Sequence, residues 1–274
     1  MKFARAVPKG PDGSPEELYT RLELERLAPD HRPYLICNFV ASADGRATVG
    51  GRSGPLGGDG DRTVFHLLRT QTEAILAGTR TLRVERYGLL VEDEGMGAIR
   101  EREGRARQPL AVIVSRSGEI PFDVPLFSDP GVRIALYGPP GLELPPACEA
   151  RVLAHELTLG TGAGAPAAQS GRGEPALVPG GGVLATVLRS LRADHGVRSL
   201  LCEGGPTLLG ALLVEDLVDE LFLTLSPSLV GAGERTVTAG PALSAPTALT
   251  LVWALERDGH LFLRYARAST VPER

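Results

Sequence analysis

Apolar positions along this chain fall into short runs of strand length, separated by stretches with helical spacing. The run P-Y-L-I-C-N-F-V-A-S (33–42) is too short for a buried helix and runs into the turn signal A-D-G, so it predicts a buried strand. Beyond a Gly-rich loop at 50–60, Val64, Leu67 and Leu68 share one face of a predicted helix, R-T-V-F-H-L-L-R-T-Q. Asp59 or Asp61 is placed to cap it. A-I-L-A-G (74–78), L-A-V-I-V-S (110–115) and V-R-I-A-L-Y (132–137) predict further buried strands. A helix follows through V-L-A-T-V-L-R-S-L-R, then a strand R-S-L-L-C-E (198–203), a Gly-Gly-Pro turn and a helix T-L-L-G-A-L-L-V. V-D-E-L-F-L-T-L-S-P predicts one more strand. A-L-T-L-V-W-A-L-E (248–256) and H-L-F-L-R-Y-A-R, joined by Arg257-Asp258-Gly259, predict a terminal hairpin. Strands alternating with helices and ending in a hairpin predict an α/β domain, with a mostly parallel sheet and an antiparallel end.

Three stretches fall outside that alternation. Residues 1–31 are expected as an N-terminal arm, Pro/Gly-rich at first, with E-E-L-Y-T-R-L-E-L-E-R-L spaced for a short helix. Between about 88 and 108 the chain turns polar and Arg/Glu-rich, which reads as a solvated excursion. Residues 160–182 are low in complexity and read as a flexible surface loop. A single domain over 32–268 accommodates the remainder.

Composition narrows the chemistry. With 43% hydrophobic and 23% charged residues among 274, the chain has ordinary globular composition and can build a full core. A net charge of −4 leaves no basic surplus to hold a phosphate polymer, so nucleic acid is not expected as a partner. Lysine occurs only at Lys2 and Lys9, which removes Schiff-base chemistry and the lysine of a phosphate-binding P-loop. Cys37, Cys148 and Cys202 form no C-x-x-C pair and stand near no histidine at ligand spacing. Histidines 31, 66, 155, 195 and 260 are scattered singly, so no metal site is expected. No run of eighteen apolar residues and no leader-like start are visible, so the expectation is a soluble cytoplasmic protein in a reducing compartment.

Three local features carry candidate chemistry. In L-L-C-E-G-G-P-T-L-L-G (200–210) a buried strand, a glycine pair and Pro206 at a helix start leave backbone N–H groups free, a geometry that attracts phosphate. Gly204 and Gly205 permit close backbone approach, and Thr207 offers a hydroxyl; a tight turn without any ligand would read the same way. In N-F-V-A-S-A-D-G-R-A (38–47), Asp44 follows a strand end, where a carboxylate can move a proton or an Asp-Gly pair can simply turn a corner. Arg69, on the helix before A-I-L-A-G-T-R-T, can grip an anion or stand on the surface.

Taken in order, these segments resemble the riboflavin-pathway pyrimidine reductases, the C-terminal domain of RibD-type proteins. The resemblance spans about residues 32–267 and rests on N-F-V-A-S-A-D-G-R, R-S-G-P-L-G with the D-R-T-V-F-H-L-L-R helix, A-I-L-A-G-T-R-T, L-L-C-E-G-G-P-T-L-L-G-A-L-L and L-V-D-E-L-F-L-T-L-S-P. It implies a dihydrofolate reductase-like three-layer α/β domain, with helices on both faces of the sheet. It also implies that NADPH delivers a hydride to the ribosyl carbon of a ribosylaminopyrimidine. Cofactor contacts are then expected at Val40, Ala41, Pro55, Thr81, Ser115, Gly204, Gly205, Pro206, Thr207 and Leu208, with Glu85 where the family often has Asp. Substrate contacts are expected at Ser53, Arg69, Leu89 and Glu203. Asp44 is the expected proton donor, with Glu203 a catalytic carboxylate that holds pyrimidine N–H groups. Asn38 stands where many members have Lys, and Glu92 lies near a position where Arg often helps bind substrate phosphate. The H-x-E and P-C-x-x-C of a deaminase are absent from this sequence, so a bifunctional enzyme is not expected. A pterin or folate reductase and a non-catalytic nucleotide-binding protein are the alternatives. The resemblance further implies a homodimer, for which the apolar strand L-T-L-V-W-A-L offers an edge.

Overall fold

The computed structural model describes residues 4–7, 13–157 and 182–268. The expected flexible loop, 160–182, lies outside the described residues apart from Gly182. In chain order the strands are β1 (Ala4–Val7), β2 (Tyr34–Ser42), β3 (Ala74–Gly78), β4 (Leu110–Val114), β5 (Arg133–Gly138), β6 (Arg151–Glu156), β7 (Ser199–Cys202), β8 (Glu220–Ser226), β9 (Leu249–Arg257) and β10 (His260–Arg267). The helices are α1 (Pro15–Tyr19), α2 (Asp59–Gln71), α3 (Thr79–Glu85), α4 (Glu94–Arg102), α5 (Val183–His195) and α6 (Pro206–Val214).

These strands form a ten-stranded sheet ordered β1-β9-β10-β8-β2-β7-β3-β4-β5-β6. From β8 to β6 the neighbours are parallel, while β10, β9 and β1 complete an antiparallel end. Strand alternation sorts the apolar residues into two layers. Tyr34, Ile36, Ile75, Ala77, Ile113 and Leu201 face the layer that holds Val64, Leu67 and Leu68 of α2. Leu35, Cys37, Ala74, Leu76, Val112 and Leu200 face Val187, Leu188 and Leu191 of α5 and Leu209 and Leu212 of α6. The chain is therefore a helix–sheet–helix α/β domain, as expected.

Several local expectations are corrected. α2 begins one residue earlier than an aspartate cap requires: Gly58 is the N-cap and makes no side-chain bond, so Asp59 and Asp61 both lie in the first turn. The 88–108 stretch is only in part a solvated excursion. It contains α4, capped by Asp93 through the Met96 N–H (2.8 Å), and its Arg100 is fully buried. Arg100 donates from Nη1 to the carbonyls of Arg69 (2.5 Å) and Thr72 (2.6 Å), and from Nε to Ala106 (2.8 Å), so it satisfies the carbonyls at the end of α2. Burial, with Arg105 nearby, pushes its guanidinium down to about 10. β9 is not a bare edge, because β1 pairs with Ala254, Leu255 and Glu256; Leu249 and Leu251 in its first half remain exposed.

Two buried forks tie β8 to its surroundings. Asp219 receives both Nη atoms of Arg32 (2.6 and 2.8 Å) and the Leu35 N–H (2.8 Å). Glu220, 3% exposed, receives Nε and Nη2 of Arg264 (2.7 and 2.8 Å) and the Tyr34 hydroxyl (3.0 Å). The Arg264 guanidinium also lies 4.6 Å from the Trp253 ring centre and 5.4 Å from that of Phe222.

Candidate active site

The connection after β7 crosses to β8 on one side of the sheet, whereas the connection after β3 crosses to β4 on the other. Loops that part in opposite directions leave a crevice at the carboxyl ends of their strands. A cleft of about 1090 Å³ opens there, lined by the ends of β2, β3, β4 and β7 and by one side of α2.

The β3–α3 and β7–α6 turns form its centre. The Gly78 N–H donates to the Gly204 carbonyl at 2.8 Å. Gly204 has φ +106°, a left-handed value costly for residues with a side chain, and a Cβ there would lie 3.3 Å from the Phe39 ring. A Cβ on Gly205 would lie 3.2 Å from the Thr81 hydroxyl. Pro206 has no N–H, and Leu208 and Leu209 donate to the Gly205 carbonyl, so Thr207 brings an N–H and a hydroxyl to this helix end.

The floor is a buried ion pair. Arg69 Nε and Nη2 meet Oε1 and Oε2 of Glu203 at 2.6 and 2.8 Å, and the Tyr87 hydroxyl donates to Oε2 at 2.7 Å. The third arm of the guanidinium, Nη1, donates to the Leu90 carbonyl (2.8 Å), and its carbon lies 4.2 Å from the Phe65 ring centre. Burial pushes the Tyr87 phenol well up, reinforced by the Glu203 charge. Arg69 is held above its ordinary range by Glu203, against the opposing effect of burial.

Among the residues expected from sequence, Val40, Ser53, Arg69, Thr81, Glu85, Leu89, Ser115, Glu203, Gly205, Pro206, Thr207 and Leu208 line this one cleft. Glu85 accepts from the Ser53 N–H (3.2 Å) and hydroxyl (3.1 Å). Gly204 lies just behind the lining, where its carbonyl joins the two turns. Ala41 is buried on the opposite face of β2, and Pro55 is exposed outside the cleft.

The two expected catalytic carboxylates have structural partners. Both oxygens of Glu203 accept from Arg69 and Tyr87, so this carboxylate orients the guanidinium. Asp44 is exposed and lies outside the cleft. It accepts from the Ser42 hydroxyl and from the N–H groups of Val230 (3.2 Å) and Gly231 (2.7 Å), pinning the β2 turn to the loop after β8. These donors, the Ser42 hydroxyl foremost, pull its carboxyl down to about 2. Such a group is a carboxylate at neutral pH and holds no proton to give. Its stabilising contacts are present above the ordinary aspartate pKa of about 3.9 and are lost as pH falls through about 2. Asp44→Asn is therefore expected to leave both limbs of the pH–rate profile unchanged between about pH 5 and 9, read by steady-state kinetics.

The sequence reading missed three residues of α2. Asp61 and Phe65 stand four residues apart and four from Arg69, forming one stripe along the cleft, with His66 beside them. Burial pushes the Asp61 carboxyl up, opposed by the Thr224 hydroxyl, His260 and Arg62. His66 is pushed down, by burial first and then by Arg69. The 61/65/69 spacing was visible in the sequence, but aspartates at a helix start are read first as caps.

Comparison with known proteins follows the same lines. The chain is 25% identical over 206 residues to the 2,5-diamino-6-ribosylamino-4(3H)-pyrimidinone 5′-phosphate reductase of Archaeoglobus fulgidus, covering 73% of this chain and 83% of that protein. It is 27% identical over 217 residues to the riboflavin biosynthesis protein RibD of Escherichia coli, covering 77% of this chain and 53% of that longer protein. The crystal structure of a pyrimidine reductase-like protein from Corynebacterium diphtheriae shares the fold, with a TM-score of 0.70 at 22% identity over 94% of this chain and 99% of that one. The sequence profile of the RibD C-terminal domain matches residues 33–137 and 170–261, so the chain belongs to the RibD C-terminal domain family.

Proposed function

We propose that the protein is an NADPH-dependent reductase that converts a ribosylaminopyrimidine 5′-phosphate to its ribitylamino product. The observation that carries this reading is the cleft, which sets a glycine turn and a free helix end beside an oriented arginine in a chain of this family. The turn fits a dinucleotide. A Cβ on Gly204 or Gly205 would press on the Phe39 ring (3.3 Å) or the Thr81 hydroxyl (3.2 Å), so the turn carries no side chain there, and the Thr207 N–H and hydroxyl are placed for phosphate oxygens. Val40, Thr81, Ser115 and Leu208 would line the cofactor side. Arg80 and Arg116, beside Thr81 and Ser115, are the cations on hand for the extra phosphate that separates NADPH from NADH.

The reduced nicotinamide, when bound, supplies the hydride; the chain supplies position and electrostatics. Arg69, locked by Glu203 and the Leu90 carbonyl, presents a fixed cation toward the substrate, and Ser53 and Leu89 bound the same end. Tyr87 keeps Glu203 engaged, so the floor is rigid and needs no reorganisation during the reaction. We also place the enzyme in the cytoplasm as a homodimer, with the exposed Leu249 and Leu251 of β9 at the contact. No described helix is long and apolar enough to cross a membrane.

The test is oxidation of NADPH and NADH, in parallel, against the 2,5-diamino-pyrimidinone phosphate, its deaminated uracil counterpart and dihydrofolate. The expected result is turnover of one or both ribosyl phosphates, faster with NADPH. Turnover of dihydrofolate alone would move the protein to pterin chemistry and end this reading.

A further inference from the structure

Hydride transfer to a ribosylaminopyrimidine must be matched by one proton, and with Asp44 outside the cleft that proton needs another source. Among the described residues, five carboxyl groups line the cleft: Asp61, Glu85, Glu92, Glu203 and Glu215. Four are otherwise committed or misplaced. Glu203 is held by Arg69 and Tyr87. The Glu215 oxygens accept from the N–H groups of Leu184 (3.1 Å) and Ala185 (2.8 Å), capping α5. Glu85 accepts two bonds from Ser53, and Glu92 is exposed at the rim. Asp61 remains. It forms no salt bridge among the described residues, and its carboxylate is closed over by Gly57, where an added Cβ would overlap it.

The position also fits. Asp61 lies beside the hydroxyl of Thr224, whose backbone is in register with Val40, a lining residue of β2. Asp61 stands eight residues before Arg69 on the same face of α2, about 12 Å along the helix axis. A ligand that reaches from Arg69 past Phe65 along this stripe would meet Asp61. Resting on the reading of the preceding section, we propose that Asp61 is the catalytic acid of this reduction and protonates O4′ of the ribosyl ring as it opens. The C1′–O4′ bond breaks, its electron pair stays on O4′ and takes the Asp61 proton, and the amine nitrogen's lone pair forms C1′=N. The iminium carbon accepts the hydride, and Asp61 regains a proton from water. One reduced dinucleotide and one proton are consumed per product.

The charged and titratable neighbours of Asp61 are Tyr19 on α1, His260 on β10 and Arg62 on its own helix, with the Thr224 hydroxyl on β8. Burial outweighs them and holds the carboxyl above its ordinary range, so the acid form persists to higher pH than for an exposed aspartate.

Asp61→Asn tests the assignment. The expected loss in single-turnover rate is about 10²–10⁴-fold, with NADPH affinity, read by fluorescence quenching, unchanged within about twofold. The wild-type rate falls as pH rises through the Asp61 titration, and this limb is absent from Asp61→Asn and retained in Asp61→Glu. Carbon-13 carboxyl NMR of the full chain should show one aspartate titrating above the ordinary range, missing in Asp61→Asn. Asp61→Ser provides a second truncation if the asparagine variant folds poorly. An Asp61→Asn enzyme that keeps its rate, or a pH limb that persists there and vanishes in His66→Asn, overturns the proposal. If the wild-type chain turns over neither ribosyl phosphate, the functional reading itself has failed and the proposal falls with it. Wild-type turnover with an indifferent Asp61→Asn sinks the proposal alone.

Discussion

Arg69→Ala is expected to lose about 3–5 kcal/mol of folding stability in urea denaturation at neutral pH, together with substrate binding. The size follows from what the truncation leaves behind. The Glu203 side chain has no solvent exposure, and without Arg69 it keeps one donor, the Tyr87 hydroxyl, for a buried carboxylate that had three. The Leu90 carbonyl loses its partner and the Phe65 ring its covering cation. Removing both charges, in Arg69→Met with Glu203→Met, should recover much of the loss while leaving the enzyme inactive, because a paired apolar replacement leaves no stranded charge. Arg69→Lys should not rescue, since an ammonium cannot meet two carboxylate oxygens and a carbonyl in one plane. A stability change below about 1 kcal/mol in Arg69→Ala would mean that Glu203 is solvated, contrary to its burial.

Arg264→Ala should match that cost in stability and spare the cleft. Its partner Glu220 is 3% exposed and would keep only the Tyr34 hydroxyl, so a similar loss of about 3–5 kcal/mol is expected. The loss of the guanidinium between Trp253 and Phe222 adds to it. Neither Arg264 nor Glu220 lines the cleft, so NADPH affinity measured below the unfolding transition should stay at the wild-type value. The two variants together separate stability from ligand recognition. Equal weakening of cofactor binding in both would show that Arg69 acts on the cleft only through global stability.

The sheet was largely legible from the sequence because its parallel strands are buried on both faces and so appear as continuous apolar runs. β6 was not, because R-V-L-A-H-E is mostly exposed at the edge of the sheet and carries no such run. α4 and the turn after it were hidden by their charges: Arg100 and Arg105 look like solvent-facing residues, and their carbonyl and carboxylate partners come from segments distant in sequence. The glycine turn and Arg69 could be read because each sits in a local pattern. The role of Asp61 could not, since it depends on Gly57 above it, Thr224 beside it and the commitment of four other carboxylates, none of which a linear spacing records.

The insertion of β7 between β2 and β3 bears on how the molecule is made. Cys37 and Leu76 both pair with Cys202, so the middle of the sheet cannot close until more than two thirds of the chain has been synthesised. A nascent chain stalled before residue 199 would hold β2 and β3 with unsatisfied inner edges and would lack both the glycine turn and the acid that anchors Arg69. Such an intermediate exposes strand edges that invite wrong pairing. Assembly on the ribosome should therefore be late and abrupt, and shielding by a chaperone matters most while the last third of the polypeptide emerges.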